Sequence, residues 1–412
     1  MASTGRLRIL LITPRVPLPV DQGPREMLFS LVRSLAADTD VTLLVQTTSQ
    51  EELEHARELE QFCERVIPYV APSTKSSLHR IMYGAFYRLK STIMRRSLKQ
   101  IRDCPGALLH AAAMLGDEDF DIVIVSFWQL YRAAKLFPRS NTVLVTFDID
   151  MLMNHQISLL ERNLVKKIQA VRKWLMERPE ELAAYRVTDH VWAVTQQDAG
   201  VVEKICRDRC KVSVLPFAID IDAFAASGMQ RNEGEILFLG RFDDPSNRDA
   251  LEFFVRKIYP HLDEIRNLSI TLVGGNLPDD LGYFGLLPEV EVVSHFSDVR
   301  PYLHRAACLV APQRFGSGLR ISILEAAAAG LPIVASKVAM NGLPFEASED
   351  YLLAADPKEY AKMIRQVMED KEESTTVSIS AARRVSGEFG EARQRDRLTA
   401  MLNNIVPSAE SV

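Results

Sequence analysis

The chain has 412 residues, of which 47% are hydrophobic and 25% are charged. This length suffices for about two or three domains with full hydrophobic cores, and the composition is that of a globular protein. The formal charge of −5 and the pI near 6.0 argue against a general nucleic-acid-binding protein, which usually has a basic balance.

No segment of the sequence predicts export or membrane insertion. The first apolar run, RILLIT, is too short for a signal peptide, and no stretch approaches the roughly 20 apolar residues that span a bilayer. The five cysteines are scattered, which favours reduced thiols in a cytoplasmic protein. These cysteines are Cys63, Cys104, Cys206, Cys210 and Cys308. Cys206 and Cys210 lack a second ligand pair, which argues against a metal site.

Two series of short apolar runs, with helical patterns between them, predict the fold. The runs of the first series are 8–13, 41–46, 65–70, 121–127, 142–147, 190–195 and 211–216, and those of the second are 236–240, 269–275, 290–295, 307–312 and 332–336. Continuous apolar runs between helices are typical of parallel strands buried on both faces. A polar stretch, 226–235, separates the two series. The sequence therefore predicts an α/β protein with two doubly wound Rossmann-like domains.

Three loops after predicted strands combine arginine with glycine or proline. They read ITPRVPLPVDQGPRE, GRFDDPSNRDA and APQRFGSGLR. Ligands of doubly wound sheets bind beyond the carboxyl ends of the strands. Glycine lets the backbone approach a phosphate and arginine offers a bidentate fork, so these loops favour a phosphate-binding pocket.

Glu325 is the one charged residue in the apolar stretch LEAAAAG. It lies about two turns into a helix that we expect to begin after the turn Gly316-Ser317-Gly318 and to end at Gly330. A carboxylate buried there needs hydrogen-bond donors. The residues alone leave two interpretations open: an ion pair with Arg320 or another residue, and acceptance of hydrogen bonds from a ligand diol such as a ribose.

The stretch LEAAAAGLPIVAS, with the glycine-rich turn before it and FLGRF further back, resembles the retaining glycosyltransferases of family 4, which have the GT-B fold. The segments KVSVLPFAIDIDAF and RILLITPRVPLPVDQGPRE extend the resemblance along the chain. It implies two Rossmann-like domains facing each other across a cleft. Residues 1–216 would bind the acceptor, 217–390 would bind a nucleotide sugar, and a helix in 391–412 would cross back to the N-terminal domain.

The resemblance implies roles for residues on the donor side. Glu325 would hold the ribose hydroxyls, and Arg241 would neutralise the diphosphate. The first glutamate of the family's pair falls on Ser317, and its usual lysine falls near Ser246, so both are absent. Arg320 and Arg248 are the candidates to supply the missing positive charge. The further donor-binding residues would be Gly23, Arg25, Gly240, Gly274, His295, Gly316, Ser317, Gly318 and Leu319.

The implied reaction moves a sugar, with retention of configuration, from a UDP- or GDP-linked donor to a hydroxyl of a glycan or glycolipid. No metal or other cofactor is expected, and Arg241 and Arg320 would be catalytic by stabilising the leaving diphosphate. Two alternatives stay open: a non-catalytic sugar-nucleotide-binding subunit of a glycan assembly complex, and a GT-B sugar-nucleotide epimerase.

The triplet Asp148-Ile149-Asp150 follows a predicted strand. Its spacing is that of the manganese-binding aspartates in the other large glycosyltransferase fold, but the two series of strands do not suit that fold. We expect Asp148 to serve catalysis as an acceptor contact, unless it only caps its loop. Asp150 and His155 are expected on the acceptor side.

The segment 75–102 is the strongest local departure from the acidic balance, with eight Lys or Arg and no acid. One interpretation is a solvated helix hairpin over the N-terminal core. The other is an interfacial surface that meets anionic lipid and brings the enzyme to a lipid-linked acceptor at the inner face of the membrane.

Overall fold

The structure is a computed structural model that describes residues 6–19, 23–70, 106–161, 163–215, 217–225, 231–296 and 298–406. The chain divides into two compact units. The N-terminal unit is Met1–Phe217 with Gln394–Val412, and the C-terminal unit is Ala218–Arg393. The basic segment 75–102, interpreted either as a solvated helix hairpin or as a lipid-binding surface, lies outside the described residues.

The N-terminal unit contains a seven-stranded parallel sheet in the order β3-β2-β1-β4-β5-β6-β7. Its strands are β1 (Arg8–Thr13), β2 (Asp40–Thr47), β3 (Arg65–Val70), β4 (Ile122–Ser126), β5 (Asn141–Thr146), β6 (His190–Ala193) and β7 (Lys211–Val214). All of β4 and nearly all of β1 are buried. Helices cover both faces of such a sheet, which is why its strands are rich in Val, Ile and Leu.

The described helices that accompany this sheet are α1 (Gly23–Asp38), α2 (Gln50–Glu58), α3 (Gly106–Ala113), α4 (Tyr131–Ala134), α5 (Asp150–Leu160), α6 (Leu164–Val187) and α7 (Gln196–Cys206), with 3₁₀ turns at Leu59–Gln61 and Trp128–Leu130. The buried core includes Leu10, Ile12, Val123, Leu144 and Tyr185. This core joins the central strands to α6.

The C-terminal unit contains a six-stranded parallel sheet in the order β10-β9-β8-β11-β12-β13. Its strands are β8 (Glu235–Leu239), β9 (Ser269–Val273), β10 (Val290–Val293), β11 (Cys308–Ala311), β12 (Ile333–Ala335) and β13 (Leu352–Leu353). The twelve predicted strands are all present in the structure. The sequence missed β13, because two residues are too few to form a recognisable apolar run.

The helices of the C-terminal unit are α8 (Ile221–Phe224), α9 (Pro245–Phe253), α10 (Arg300–Arg305), α11 (Ile321–Ala328), α12 (Pro357–Glu369) and α13 (Lys371–Phe389), with a π-helical turn at Phe254–Ile258 and 3₁₀ turns at Tyr259–His261 and Asp279–Leu286. The last helix, α14 (Glu391–Ile405), carries the chain into the N-terminal unit. There Ser30 of α1 donates a hydrogen bond to Gln394 Oε1 at 2.8 Å.

The prediction of five reduced thiols is wrong for one pair, because the structure joins Cys206 and Cys210 in a disulfide. Arg207 and Asp208, just after α7, have positive φ angles and turn the chain back, so the two Cα atoms lie 5.9 Å apart. Cys63 and Cys308 are free and buried. None of the helices in the described part of the chain is long and apolar enough to cross a bilayer.

Candidate functional site

Each sheet reverses its strand order once, and ligands of doubly wound folds bind at such a reversal, beyond the carboxyl ends of the strands. The reversal lies between β1 and β4 in the N-terminal unit and between β8 and β11 in the C-terminal unit. In the C-terminal unit the loops after these strands carry Arg241 and Arg320. The fold therefore brings the two predicted catalytic arginines to the same edge of one sheet.

The loop after β8 is held against the end of β9 by backbone contacts. The Gly240 N–H donates to Val273 O at 3.0 Å, and the Phe242 N–H donates to Gly274 O at 3.2 Å. A Cβ atom at Gly274 would overlap the Gly240 carbonyl, so only glycine fits at position 274. The predicted residues Gly240 and Gly274 thus fix the start of the loop that carries Arg241.

Arg320 lies beside Ser246, the position at which the resemblance expects a lysine. The buried Ser246 hydroxyl donates to Phe315 O at 2.8 Å. Arg320 Nη2 donates to Ser246 Oγ at 3.3 Å and to Phe315 O at 3.2 Å. A Cβ atom at Gly316, where φ is +139°, would overlap the Arg320 guanidinium. The structure therefore provides a positive charge next to the place of the missing lysine.

The N-terminus of α9 already has a hydrogen-bonded carboxylate. Asp244 accepts from the N–H groups of Ser246 at 2.9 Å and Asn247 at 3.1 Å. A capped helix end offers fewer free donors to an anion. The positive charge of this site therefore comes mainly from arginine side chains.

The two other predicted arginines of this unit have carboxylate partners. Arg241 binds Asp243 through Nε at 2.9 Å and also through Nη2, and this hydrogen bonding lowers the pKa of Asp243. Arg248 Nη2 lies 2.9 Å from Asp280 Oδ1, and both side chains are about half exposed. Of the two candidates to replace the lysine, Arg320 lies next to Ser246, whereas Arg248 forms an exposed ion pair.

The glycine-rich turn leads directly into α11. Ser317 and Leu319 are partly buried, and Gly318 is buried with φ +73°. The helix begins at Ile321, so Glu325 lies little more than one turn into it, not two. Glu325 is also only partly buried, unlike its neighbours Leu324 and Ala326. The expected glycine end of the helix is confirmed, because Gly330 has φ +63° and its N–H donates to Ala327 O.

Gln313, which follows β11, is a residue of this site that the sequence did not single out. Its side chain is buried, and Nε2 donates to Asn247 Oδ1 at 3.2 Å. Within the part of the chain that the structure describes, Gln313 Oε1 is buried without a hydrogen-bond partner. An unsatisfied buried acceptor next to a candidate ligand-binding loop is a feature that sequence patterns do not reveal. His295, by contrast, is exposed two residues past the end of β10, the edge strand of the sheet.

In the N-terminal unit, the predicted residues Gly23 and Arg25 lie in the first turn of α1. Arg25 Nη2 is 3.5 Å from Glu52 Oε1. The other oxygen of Glu52 accepts from the N–H and the hydroxyl of Thr48, both at 2.7 Å. These contacts tie the start of α1 to the loop after β2.

The aspartates of the triplet after β5 differ in environment. Asp148 is exposed, and its backbone O accepts from Thr146 Oγ1 at 2.8 Å. Asp150 is buried at the start of α5, where Asp150 Oδ2 accepts from Trp128 Nε1 at 2.7 Å. His155 is exposed and its ring lies 5.0 Å from that of Trp174. Asp148 thus lies at the surface of the loop, whereas Asp150 secures the loop from inside.

Two aromatic residues and an arginine to which the sequence assigned no individual role lie together at the N-terminal switch point. Phe127 follows β4 and has φ +72°, which is unusual for a bulky residue and often marks a functional site. Its ring centroid is 4.9 Å from that of Phe147 and 5.7 Å from Arg15 Cζ, after β1. The order of strands, not the local sequence, brings these side chains together.

No group of three His, Cys, Asp or Glu residues within the described ranges is arranged to hold a metal ion.

Residues 233–370 match the family of glycosyl transferases group 1. The chain is a glycosyltransferase that is similar over these residues to the group 1 family. The match spans most of the C-terminal unit, including every loop of the site described above for that unit.

Two relatives of this glycosyltransferase are 24% identical to it. One is a D-inositol 3-phosphate glycosyltransferase of Catenulispora acidiphila, aligned over 314 residues, 70% of this chain and 73% of the relative. The other is a UDP-Gal:alpha-D-GlcNAc-diphosphoundecaprenol alpha-1,3-galactosyltransferase of Escherichia coli. That alignment covers 198 residues, 43% of this chain and 48% of the relative. Both relatives are glycosyltransferases by name, in agreement with the family match.

Solved structures also resemble the enzyme. Sucrose-phosphate synthase from Thermosynechococcus elongatus has a TM-score of 0.75 at 16% identity, with 98% of this chain and 100% of that one covered. The Anabaena protein HepE in complex with UDP-glucose has a TM-score of 0.68 at 14% identity, with 97% and 100% covered. At such identities the likeness establishes the fold alone. The predicted α/β class and GT-B fold are confirmed.

Proposed function

We propose that the enzyme transfers a sugar, with retention of configuration, from a UDP- or GDP-linked donor to a hydroxyl of a glycan or glycolipid, without a metal ion. The observation that carries the proposal is the convergence of the Arg241 loop and Arg320 at the switch point of the C-terminal sheet. Ser246 and Phe315 join the two loops through hydrogen bonds with Arg320. A diphosphate bound there would meet two guanidinium groups.

The chemistry of the donor gives these arginines their role. As the bond between the sugar and the diphosphate breaks, the leaving phosphate gains negative charge. Donors that are already in place stabilise such developing charge most effectively. Arg320 is held in place by Ser246 Oγ and Phe315 O, so little reorganisation is needed. The acceptor hydroxyl would attack the face that the phosphate leaves, and a phosphate oxygen would accept its proton.

Arg241 would act by exchanging partners. Its guanidinium binds Asp243, and both side chains are substantially exposed. An exposed ion pair contributes little to stability. A diphosphate can therefore compete for Arg241 at low cost.

Glu325 would accept hydrogen bonds from the ribose hydroxyls. Its partly buried position, little more than one turn past the glycine-rich turn, suits a group that contacts a ligand better than one sealed in the core. Of the two interpretations that the sequence left open, the ribose role is the one we adopt. The HepE structure with UDP-glucose supports a UDP-linked donor, because that protein shares the fold.

The acceptor is proposed from the N-terminal unit and from the relatives. The Escherichia coli relative is named for a GlcNAc-diphosphoundecaprenol acceptor and the Catenulispora acidiphila relative for an inositol phosphate. Exposed Asp148 and the Arg15 and Phe127 pair are the groups that we assign to acceptor binding. A cytoplasmic location stays a prediction.

The test is release of free nucleotide from UDP-glucose and GDP-mannose, measured by chromatography for the wild type and for Arg241→Ala. Arg365→Ala is the matched control, because Arg365 also pairs with an exposed carboxylate, that of Glu264. Glu264 precedes β9 and therefore lies towards the amino ends of the strands, away from the candidate site. We expect turnover with one donor, reduced at least about tenfold in Arg241→Ala, since one charge-assisted hydrogen bond has that magnitude.

Tight nucleotide binding without turnover would contradict the proposal and favour a non-catalytic binding subunit. A change in the sugar configuration of the donor would favour an epimerase. Equal rates in Arg241→Ala and the wild type would remove Arg241 from the mechanism.

A further inference from the structure

The tip of the hairpin formed by α5 and α6 exposes an unusual number of large apolar side chains. We call residues 159–161 and 163–175 the hairpin-tip surface. Six of its apolar residues are between 50% and 72% exposed: Leu159, Leu160, Leu164, Val165, Ile168 and Leu175. Single exposed apolar residues are common, but a group of six on one segment marks an interaction surface.

In the helix α6, acidic side chains are buried and apolar side chains are exposed, the reverse of the usual arrangement. Its buried face carries the acids Glu177 and Glu181. At 100° per residue, Ile168 and Leu175 lie roughly opposite Glu177 on the helix. An ordinary surface helix places apolar residues inward and charges outward.

The buried acids have partners that fix this orientation. Glu181 Oε2 accepts from the Met151 N–H at 2.6 Å, and Glu181 Oε1 accepts from the Tyr185 hydroxyl at 2.7 Å. Glu177 Oε2 accepts from Asn154 Nδ2 at 2.7 Å. Rotating α6 to bury its apolar face would break these bonds, so that face stays outward.

The same surface is basic. Its charged residues are the exposed Lys166, Lys167, Arg172 and Lys173 and a single acid, Glu161. This excess of positive charge stands in a chain whose formal charge is −5. Leucine, isoleucine and valine interleaved with lysine and arginine suit a bilayer surface, where acyl chains accept the apolar groups and anionic headgroups accept the cations.

We propose that the hairpin-tip surface docks on an anionic lipid bilayer. The charge complementarity favours this partner over a second copy of the chain, since two such surfaces would repel each other. The inference does not rest on the proposed sugar transfer. It also concerns residues outside the basic segment 75–102.

Sedimentation with vesicles tests the inference. The probes are vesicles of phosphatidylglycerol mixed with phosphatidylcholine, and vesicles of phosphatidylcholine alone. The variants are Leu164→Ser/Ile168→Ser/Leu175→Ser and Lys166→Gln/Lys167→Gln. The matched control is Leu286→Ser, because Leu286 is 84% exposed and lies in the C-terminal unit. All of these side chains are exposed, so each variant should keep the wild-type midpoint of thermal unfolding.

We expect the wild type and Leu286→Ser to partition onto the anionic vesicles. The triple serine variant should partition at least about tenfold less, because it loses three apolar anchors. The glutamine variant should lose much of the preference for anionic over neutral vesicles. Wild-type protein that does not bind anionic vesicles, or variants that bind as well as the wild type, would overturn the inference. A wild-type dimer in ultracentrifugation that the serine variant converts to a monomer, without vesicle binding, would also overturn it.

Discussion

Replacing Arg320 by alanine removes a guanidinium that hydrogen bonds hold at the switch point of the C-terminal sheet. In the wild type, Arg320 Nη2 lies 3.3 Å from Ser246 Oγ and 3.2 Å from Phe315 O. A hydrogen bond to a charged group contributes about 1.5 to 3 kcal/mol. In the proposed function Arg320 donates such a hydrogen bond to the diphosphate. If this bond forms only as the diphosphate leaves, its loss lowers kcat/KM by about 10- to 150-fold.

The assay is nucleotide release from the preferred donor, with Arg365→Ala as control. Ser246 Oγ still donates to Phe315 O in Arg320→Ala, so the turn keeps one of its hydrogen bonds and the fold should persist. Adding Ser246→Lys to Arg320→Ala places an ammonium in the vacated space, and we expect partial recovery of the rate. An unchanged kcat/KM in Arg320→Ala would refute the reasoning, whatever the double variant does.

Three further predictions concern side chains that stabilise the interior of one unit or that titrate within it. Arg231 donates hydrogen bonds to the backbone oxygens of Leu303, Ala306, Ala329 and Gly330. Arg231→Ala should therefore lower the free energy of unfolding, measured in urea, by about 3 kcal/mol. An unchanged urea midpoint would contradict this prediction. Glu181→Ala should cost about 2 to 4 kcal/mol by the same measurement, because Met151 N–H and the Tyr185 hydroxyl lose a buried acceptor; equal stability would show that water replaces it. Burial raises the pKa of Glu26 from 4.5 to about 7, so its contribution to stability falls as the pH rises through that interval. Glu26→Gln should gain stability relative to the wild type over the same interval, and parallel pH profiles of the two proteins would contradict this assignment.

Twelve strands were predictable because each lies on a run rich in apolar residues, and the central strands β1, β4 and β8 are buried on both faces of a parallel sheet. The positions of the candidate ligand-binding loops followed from the same pattern, since parallel strands present all their carboxyl ends at one edge. The glycine end of α11 was also predictable, because Gly330 adopts a positive φ that other residues avoid.

Contacts between distant elements were not predictable from local patterns. Nothing near Ser246 in the sequence indicates that Arg320, 74 residues away, reaches its hydroxyl. The glutamates of α6 resemble a solvated face in the sequence, yet Glu181 is buried because Met151 N–H and Tyr185 supply donors. Likewise the disulfide between Cys206 and Cys210 depends on the turn at Arg207.

Thermal unfolding of the wild type and of Glu325→Ala with UDP, GDP, ADP and CMP tests the central claim most directly. A ligand at 100 times its dissociation constant adds about 2.7 kcal/mol to the free energy of unfolding, which gives a clear shift of the midpoint. We predict that UDP or GDP raises the wild-type midpoint and that Glu325→Ala abolishes this rise, because in the proposed function Glu325 accepts hydrogen bonds from the ribose. No shift with any of the four nucleotides, or an equal shift in Glu325→Ala, would contradict the assignment of Glu325 and of this nucleotide site.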